Sequence, residues 1–462
     1  MKRQNRVTFF NFLSILLLRG ISLITMPLFT RLLGDAGYGV SSYYFTWTSA
    51  LAIVLTLQTE STLVNARVEY PEEEQRRYQS SVMTLSVLTF LTGSAVILCC
   101  LGPIARLLKM DQLLIIFMLV QAFGTYCVNF LSTRFVYEFK AGRNMALSLA
   151  VSLLTMGLSV LFIVLLPQEV NYYGRITAVV TTYALLGVPA CILILAQGRT
   201  FYRPDFWKFC VVLAIPGMFH NLSDLVLGQS DRVMVRQFLG DAALGRYAAA
   251  LNFGGILFTI FQALDNSWRP FFFDDLKAKD MEQVHDKAVH FQELMTVLSL
   301  GFLLLTREVY RIFVPAKFWE TELLIPVFVT GYYLNFLCTF PVNFEYYHKQ
   351  TKIVAAVTIF CSLVNVGLNY ILIRAVGIAG AALATMASHS LQLGLHYLYC
   401  RCRLGGKDYP FGIRMWWKGA AIYACGVALV YVFRDLWLLR WGLGAAIGMW
   451  ELLRIKKRKV II

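Results

Sequence analysis

Charge is what this chain has least of. Only 15% of its 462 residues are Asp, Glu, Lys or Arg, against 58% hydrophobic, and the mean hydropathy is +0.61. Soluble domains carry about a quarter of their residues as charges, so a soluble globular protein is excluded. The short patterns that announce metal or redox chemistry are absent too. The ten cysteines lie mostly inside apolar runs, singly or as Cys99-Cys100, with no Cys-x-x-Cys pair. That argues against a zinc site and against a disulfide framework. Cys400-x-Cys402 stands in a basic loop and reads as incidental. The six histidines form no His-Glu-x-x-His set. No metal, no cofactor and no catalytic residue is expected. No segment is of low complexity and no nucleic-acid-binding motif occurs, so the net charge of +15 does not imply a nucleic-acid partner.

Apolar runs of about 20 residues recur from end to end, the length that a hydrocarbon core of roughly 30 Å requires. The expected fold is all-α and membrane-integral, with fourteen spans. They fall at 7–33, 38–64, 80–102, 112–132, 147–166, 175–197, 210–239, 242–264, 290–312, 321–343, 354–374, 377–399, 416–433 and 436–452. Lys2-Arg3-Gln-Asn-Arg6 opens like a signal peptide, but the run behind it continues past Pro27 without a small-residue cleavage site. It reads as a retained first span. With both termini cytoplasmic, the inside segments hold 28 of the 42 Lys and Arg, which is the positive-inside bias. The terminal Arg454-Ile-Lys-Lys-Arg-Lys459 cluster suits anionic membrane lipid. Trp268-Arg-Pro270-Phe-Phe-Phe273-Asp-Asp-Leu-Lys277 is too polar to span and is expected to lie, partly helical, at the cytoplasmic interface.

Two joints carry the same four residues. Leu33-Gly34-Asp35-Ala36 and Leu239-Gly240-Asp241-Ala242 each separate two apolar runs, with 206 residues between the glycines. Gly suits the left-handed residue past a helix end, and Asp the N-cap of the next helix. An internal duplication explains the echo. Six spans lie between the joints, so the halves are expected to be parallel repeats about an axis along the membrane normal. Residues 1–208 would form one lobe, 209–410 the other, and 411–462 two further helices with a basic tail.

Charges within a bilayer are costly and mark function. Arg19 and Asp224 both fall near the middle of their spans, and the repeat offset carries Arg19 to within one residue of Asp224. His220, Asp224 and Asp231 share one helical face, just after Pro216-Gly217, which should loosen that helix. Two readings follow. In one, Arg19 and Asp224 are a buried structural pair. In the other they line a polar cavity in which Arg19 meets an anionic substrate while Asp224, His220 or Asp231 carries a coupling ion. Arg232, Arg236 and Arg307 lie nearer the outer face and are weaker cavity candidates, for which solvation at the rim suffices.

Pro27-Leu-Phe-Thr-Arg31-Leu-Leu-Gly-Asp-Ala-Gly-Tyr38-Gly resembles the first-helix signature of the oligosaccharide and polysaccharide flippases. Asp231-Arg-Val-Met-Val-Arg-Gln-Phe-Leu-Gly-Asp-Ala-Ala-Leu-Gly-Arg-Tyr247 is similar to the end of their seventh helix. Val376-Gly-Ile-Ala-Gly380-Ala-Ala-Leu-Ala-Thr385 resembles the start of their twelfth. That family belongs to the multidrug/oligosaccharidyl-lipid/polysaccharide exporter superfamily. The resemblance implies an undecaprenyl-diphosphate-linked oligosaccharide as substrate, H⁺ or Na⁺ as possible coupling ion, and the bacterial cytoplasmic membrane as location. It implies service to a surface polymer such as lipopolysaccharide O-antigen, capsule or exopolysaccharide, with a polysaccharide polymerase and other assembly proteins as partners. A multidrug or cation exporter of the same superfamily is the main alternative. Short outside loops argue against an integral-membrane glycosyltransferase or polymerase, and a plain scaffold would not need charges at mid-membrane.

Overall fold

The computed structural model describes residues 2–278, 281–405 and 409–458, with side chains from 25 to 450 apart from 267, 270, 413–415 and 418. The described chain is helical, with no strand among the described residues. It divides into two compact units, Met1–Val233 and Met234–Ile462.

The first unit holds α1 (Lys2–Thr56), α2 (Leu63–Glu69), α3 (Glu72–Cys99), α4 (Leu101–Leu108), α5 (Gln112–Tyr137), α6 (Ala141–Leu165), α7 (Asn171–Gly198) and most of α8 (Pro204–Leu239). The second holds the end of α8, then α9 (Asp241–Ala278), α10 (Met281–Phe313), α11 (Ile325–Tyr347), α12 (Thr351–Val376), α13 (Ile378–Tyr399), α14 (Ile413–Val432) and α15 (Trp437–Arg458). Among the described residues, nine helices are long and apolar enough to cross a membrane, or ten if Thr25–Thr56 and Thr59–Glu69 count as one bent span. This is a multi-pass membrane architecture. The count of fourteen crossings rests on the sequence.

Both echoed joints take the backbone geometry their glycines suggested. Gly34, at a corner inside α1, has φ +66°, and Gly240 between α8 and α9 has φ +87°. Each lies where L side chains are disfavoured. Asp241 opens α9 and accepts from Arg236 Nε, so it serves the first turn rather than the cap. At the Gly34 corner the Arg175 guanidinium lies 4.4 Å over Phe29 on one arm of α1. It lies 5.2 Å from the ring centres of both Tyr38 and Phe45 on the other. Such cation–π contacts pin the start of α7 against both arms.

A like correspondence occurs well away from those joints. The turn between α5 and α6 bonds Glu138 N to Arg134 O, Phe139 N to Val136 O and Lys140 N to Phe135 O. The turn between α11 and α12 repeats this pattern 210 residues on, at His348–Phe344, Lys349–Tyr346 and Gln350–Glu345. Phe139 and Lys349 both take positive φ, 56° and 59°. In the next hairpins a Cβ on Gly174 would lie 2.7 Å from Phe162 O, and one on Gly380 would clash with Leu372 O. Those glycines stand 206 apart. Glycine there lets paired helices approach backbone to backbone.

The Trp268–Lys277 stretch lies beyond the apolar span Asp241–Asn266 and is helical, as a direct continuation of α9 to Ala278. Trp268 is 2% exposed and stacks on Phe272 at 4.7 Å and Phe291 at 5.3 Å in the core of the second unit. The added helices dock by specific contacts. Tyr423 of α14 stacks on Tyr333 at 4.3 Å, and the buried Arg440 of α15 bonds Leu304 O and Glu308 of α10.

Candidate functional site

Within the first unit the second apolar span does not run straight to its end. It breaks at Leu57 and Gln58, both with positive φ (55° and 48°), and resumes through the short turn Thr59–Thr62 into α2 after a 58° bend. Two consecutive non-glycine residues in this conformation are unfavourable locally, so packing must hold them. Thr59 Oγ1 lies 2.6 Å from Ser86 Oγ and 2.7 Å from Tyr126 OH. Ser86 Oγ donates to Thr56 O, freed by the break. Thr62 Oγ1 bonds Tyr78 OH at 2.7 Å and lies 3.8 Å from Cys210 Sγ. Ser86 of α3 thus satisfies a carbonyl that the break frees, and Tyr78 of α3 and Tyr126 of α5 hold the threonine side chains of the turn.

α8 covers the break. Cys210, Ala214, Gly217, Asn221 and Asp224 recur at helical spacing on one face. A Cβ on Gly217 would stand 3.9 Å from Ser61 Oγ, so the helix passes close there. Asn221 Nδ2 donates to Gln58 Oε1 at 2.6 Å. Flanking Asn221 on α8, His220 Nε2 and Asp224 Oδ2 are 3.5 Å apart, 47% and 51% exposed. Half-exposed polar groups in an otherwise apolar helix require water or a polar ligand beside them. The site therefore offers an imidazole, a carboxylate and two amides, able to exchange protons and to bond a hydroxyl-rich or charged group.

The residues singled out from sequence are dispersed. Arg19 lies in helical backbone, but its side chain is outside the described residues, so its proposed pairing with Asp224 stands as an expectation. The helix runs through Pro216 without interruption. Asp231 is buried, and its Oδ1 accepts from the Arg232 backbone N–H at 2.7 Å. Arg232 is half-buried, and Arg236 pairs with Asp241. Arg307 bonds Asp435 at 2.7 Å and lies 3.4 Å from Glu322, which Arg311 also grips at 2.7 Å. That cluster ties α10 to the start of α15.

Sequence reading passed over several charged groups. Glu60 is 9% exposed at the break. In the second unit Glu345 and His396 are fully buried, Nδ1 being 2.9 Å from both carboxylate oxygens. Asp265, 3% exposed, accepts from Arg269 at 2.6 Å and Asn343 at 3.2 Å. Glu60 alone falls inside an expected span; Asp265 and Glu345 stand just past the ends of theirs, where a charge gives no signal. Among the described residues no group of three or more His, Cys, Asp or Glu could hold a metal.

Residues 6–274 match the family model described as polysaccharide biosynthesis protein. The chain is similar to "Lsg locus putative protein 1" of Haemophilus influenzae, 22% identical over 356 residues that cover 75% of this chain and 85% of that one. An uncharacterized membrane protein of the same organism is 20% identical over 357 residues, with the same coverages. Among solved structures, the lipid II flippase MurJ in an inward closed conformation superposes with a TM-score of 0.70. It is 15% identical and covers 98% of this chain and 99% of its own. An inward-facing multidrug resistance MATE family transporter of the MOP superfamily gives 0.68 at 13% identity, covering 84% and 94%. At such identities the likeness is one of fold, and it is the fold class that the apolar pattern implied.

Proposed function

The chain belongs to the polysaccharide biosynthesis protein family, and from that premise we propose that it flips undecaprenyl-diphosphate-linked oligosaccharide units across the bacterial cytoplasmic membrane by alternating access. A diphosphate and a sugar chain do not cross hydrocarbon unaided. The observation that carries the reading is the half-exposed polar face of α8, His220 to Asp224, laid over a broken span. Such a face suits sugar hydroxyls, while the polyprenyl tail stays in lipid. In this reading Arg19 meets the diphosphate, with Arg232, Arg236 and Arg307 as lesser cationic contacts. His220, Asp224 and Asp231 serve ion coupling, to H⁺ or Na⁺. The lobes are 1–208 and 209–410, followed by 411–462, and both termini are cytoplasmic. The product feeds a surface polymer, with a polymerase and other assembly proteins downstream.

A cation or multidrug exporter is the second reading, favoured by the half-exposed carboxylate of Asp224. Removing the protein from its cell distinguishes the two. Lipid-linked oligosaccharide should accumulate on the cytoplasmic leaflet. Accumulation on the outer leaflet, or none, overturns the flippase reading. At residue level, Arg19→Ala should abolish flipping with the protein still in the membrane, while Arg19→Lys keeps part of it, because the charge survives without the forked donor.

A further inference from the structure

The break in the first unit has an internal control. Carried on by the repeat, whose offset is 206 residues before this point and 210 after it, Leu57 and Gln58 map within 263–268, where α9 runs on as unbroken helix. The repeated fold thus has no need of the break. Asp265 is a buried carboxylate in the corresponding part of α9, and the two carboxylates differ in one respect. Asp265 is fully engaged by Arg269 and Asn343, whereas Glu60 Oε2 is buried without any hydrogen-bond partner.

Among the described residues no cation compensates it. Facing the turn are Tyr78 of α3, Tyr126 and Cys127 of α5, and Cys210 of α8, with Tyr126, Cys127 and Cys210 within electrostatic reach of the carboxyl. Arg67 of α2 stacks over Phe139 at 4.8 Å. Arg134 of α5 is bound to Glu138 at 2.8 Å and Gln197 at 2.7 Å. His220 of α8 already has Asp224. A carboxylate buried among hydroxyls and thiols, with one oxygen lacking any donor, is unfavourable as an anion. A carboxylic acid in the same place is not. Two residues before Glu60, Gln58 bonds Asn221 of α8, and α8 carries the half-exposed His220 and Asp224 beside it.

We propose that Glu60 is the proton-carrying group of this transporter. Its carboxyl holds one proton while the Leu57–Gln58 break is packed against α8, and releases it to water as the break parts from α8. One proton taken from one side of the membrane and given to the other per cycle leaves Glu60 unchanged, and no electrons move. This rests on the transport reading and names its coupling ion as H⁺.

The test uses the full chain in lipid bilayers. Infrared absorption of the wild type at neutral pH should show a protonated-carboxyl C=O band that Glu60→Gln lacks and Glu60→Asp retains. Spectra identical in wild type and Glu60→Gln overturn the proposal, and Glu60→Asp guards against a folding artefact. In vesicles loaded with undecaprenyl-diphosphate-linked oligosaccharide, a pH gradient should accelerate wild-type flipping at least several-fold and leave Glu60→Gln insensitive. A sodium gradient that drives the wild type equally, or a wild type indifferent to pH gradients, also overturns it. If the wild type flips nothing, the flippase reading falls, and the infrared difference still decides whether Glu60 holds the proton.

Discussion

Asn221 of α8 donates to Gln58 across 2.6 Å, fastening a polar helix face to a residue that holds left-handed backbone without being glycine. Neither residue alone would be noticed. Together they join the break in the second span to the helix carrying His220 and Asp224.

Removing that fastening should cost stability. Asn221→Leu leaves the Gln58 amide oxygen without its donor, at about 1–3 kcal/mol. Gln58→Leu with Asn221→Leu should recover part of the loss, since both polar ends are gone. Thermal unfolding of the purified protein checks this, and a double variant less stable than the sum of the singles contradicts it.

The hairpin glycines should tolerate no side chain. Gly380→Ala places a methyl against Leu372 O and the Ile373 backbone, and Gly174→Ala does so against Phe162 and Ile163. Overpacking of this kind costs about 1–3 kcal/mol, and both substitutions should lower the yield of folded protein. Gly367→Ala, where a Cβ would meet nothing within 4 Å, is the control that should be silent.

The buried Glu345–His396 pair should behave as a unit. Glu345→Leu alone strands the imidazole and should cost about 3–5 kcal/mol, whereas Glu345→Leu with His396→Phe should cost far less. Comparing unfolding midpoints of the two variants decides it. Equal losses would mean that the pair is not interdependent.

Asp111 gives a pH dependence outside the spans. The Tyr173 hydroxyl donates to its carboxylate at 2.6 Å and the Leu113 N–H caps α5 at 3.3 Å, holding the carboxyl below the usual aspartate range. A depressed folded-state pKa means stability that is complete above the unfolded value of about 3.9 and is lost as pH falls through the folded one. Wild-type stability should therefore decline below about pH 4 by an increment that Asp111→Asn lacks. Unfolding midpoints of both proteins across pH 3–6 measure it.

Much of the architecture was legible because a bilayer imposes length and hydropathy on every span. The Gly34 and Gly240 joints were legible because positive φ selects glycine. The break at Leu57–Gln58 was not, since no Gly or Pro marks it and the hydroxyls that hold it come from Ser86 and Tyr126, far along the chain. Glu60 fell near the end of an expected span, where a charge is unremarkable. Glu345 and His396 lie 51 residues apart and meet only when α11 packs on α13. Aromatics beside mixed charge mark the Trp268 stretch as non-spanning, but that helical spacing turns Trp268 with Phe272 inward was not legible. Arg307 read as a rim cation, but Glu322 and Asp435 engage it.

Between Ile163 and Gly174 the first unit uses four more residues than the second uses between Ile373 and Gly380, although the helix pairs on either side keep the same close approach. The surplus falls in the turn at 166–170, where the second unit turns on Gly377 alone. The two hairpins thus differ in length at this corner while their close packing is alike. A short epitope or a fluorophore-binding tag grafted after Gln168 would enter a turn whose length the packing does not fix, giving a handle on the protein that leaves its helices undisturbed.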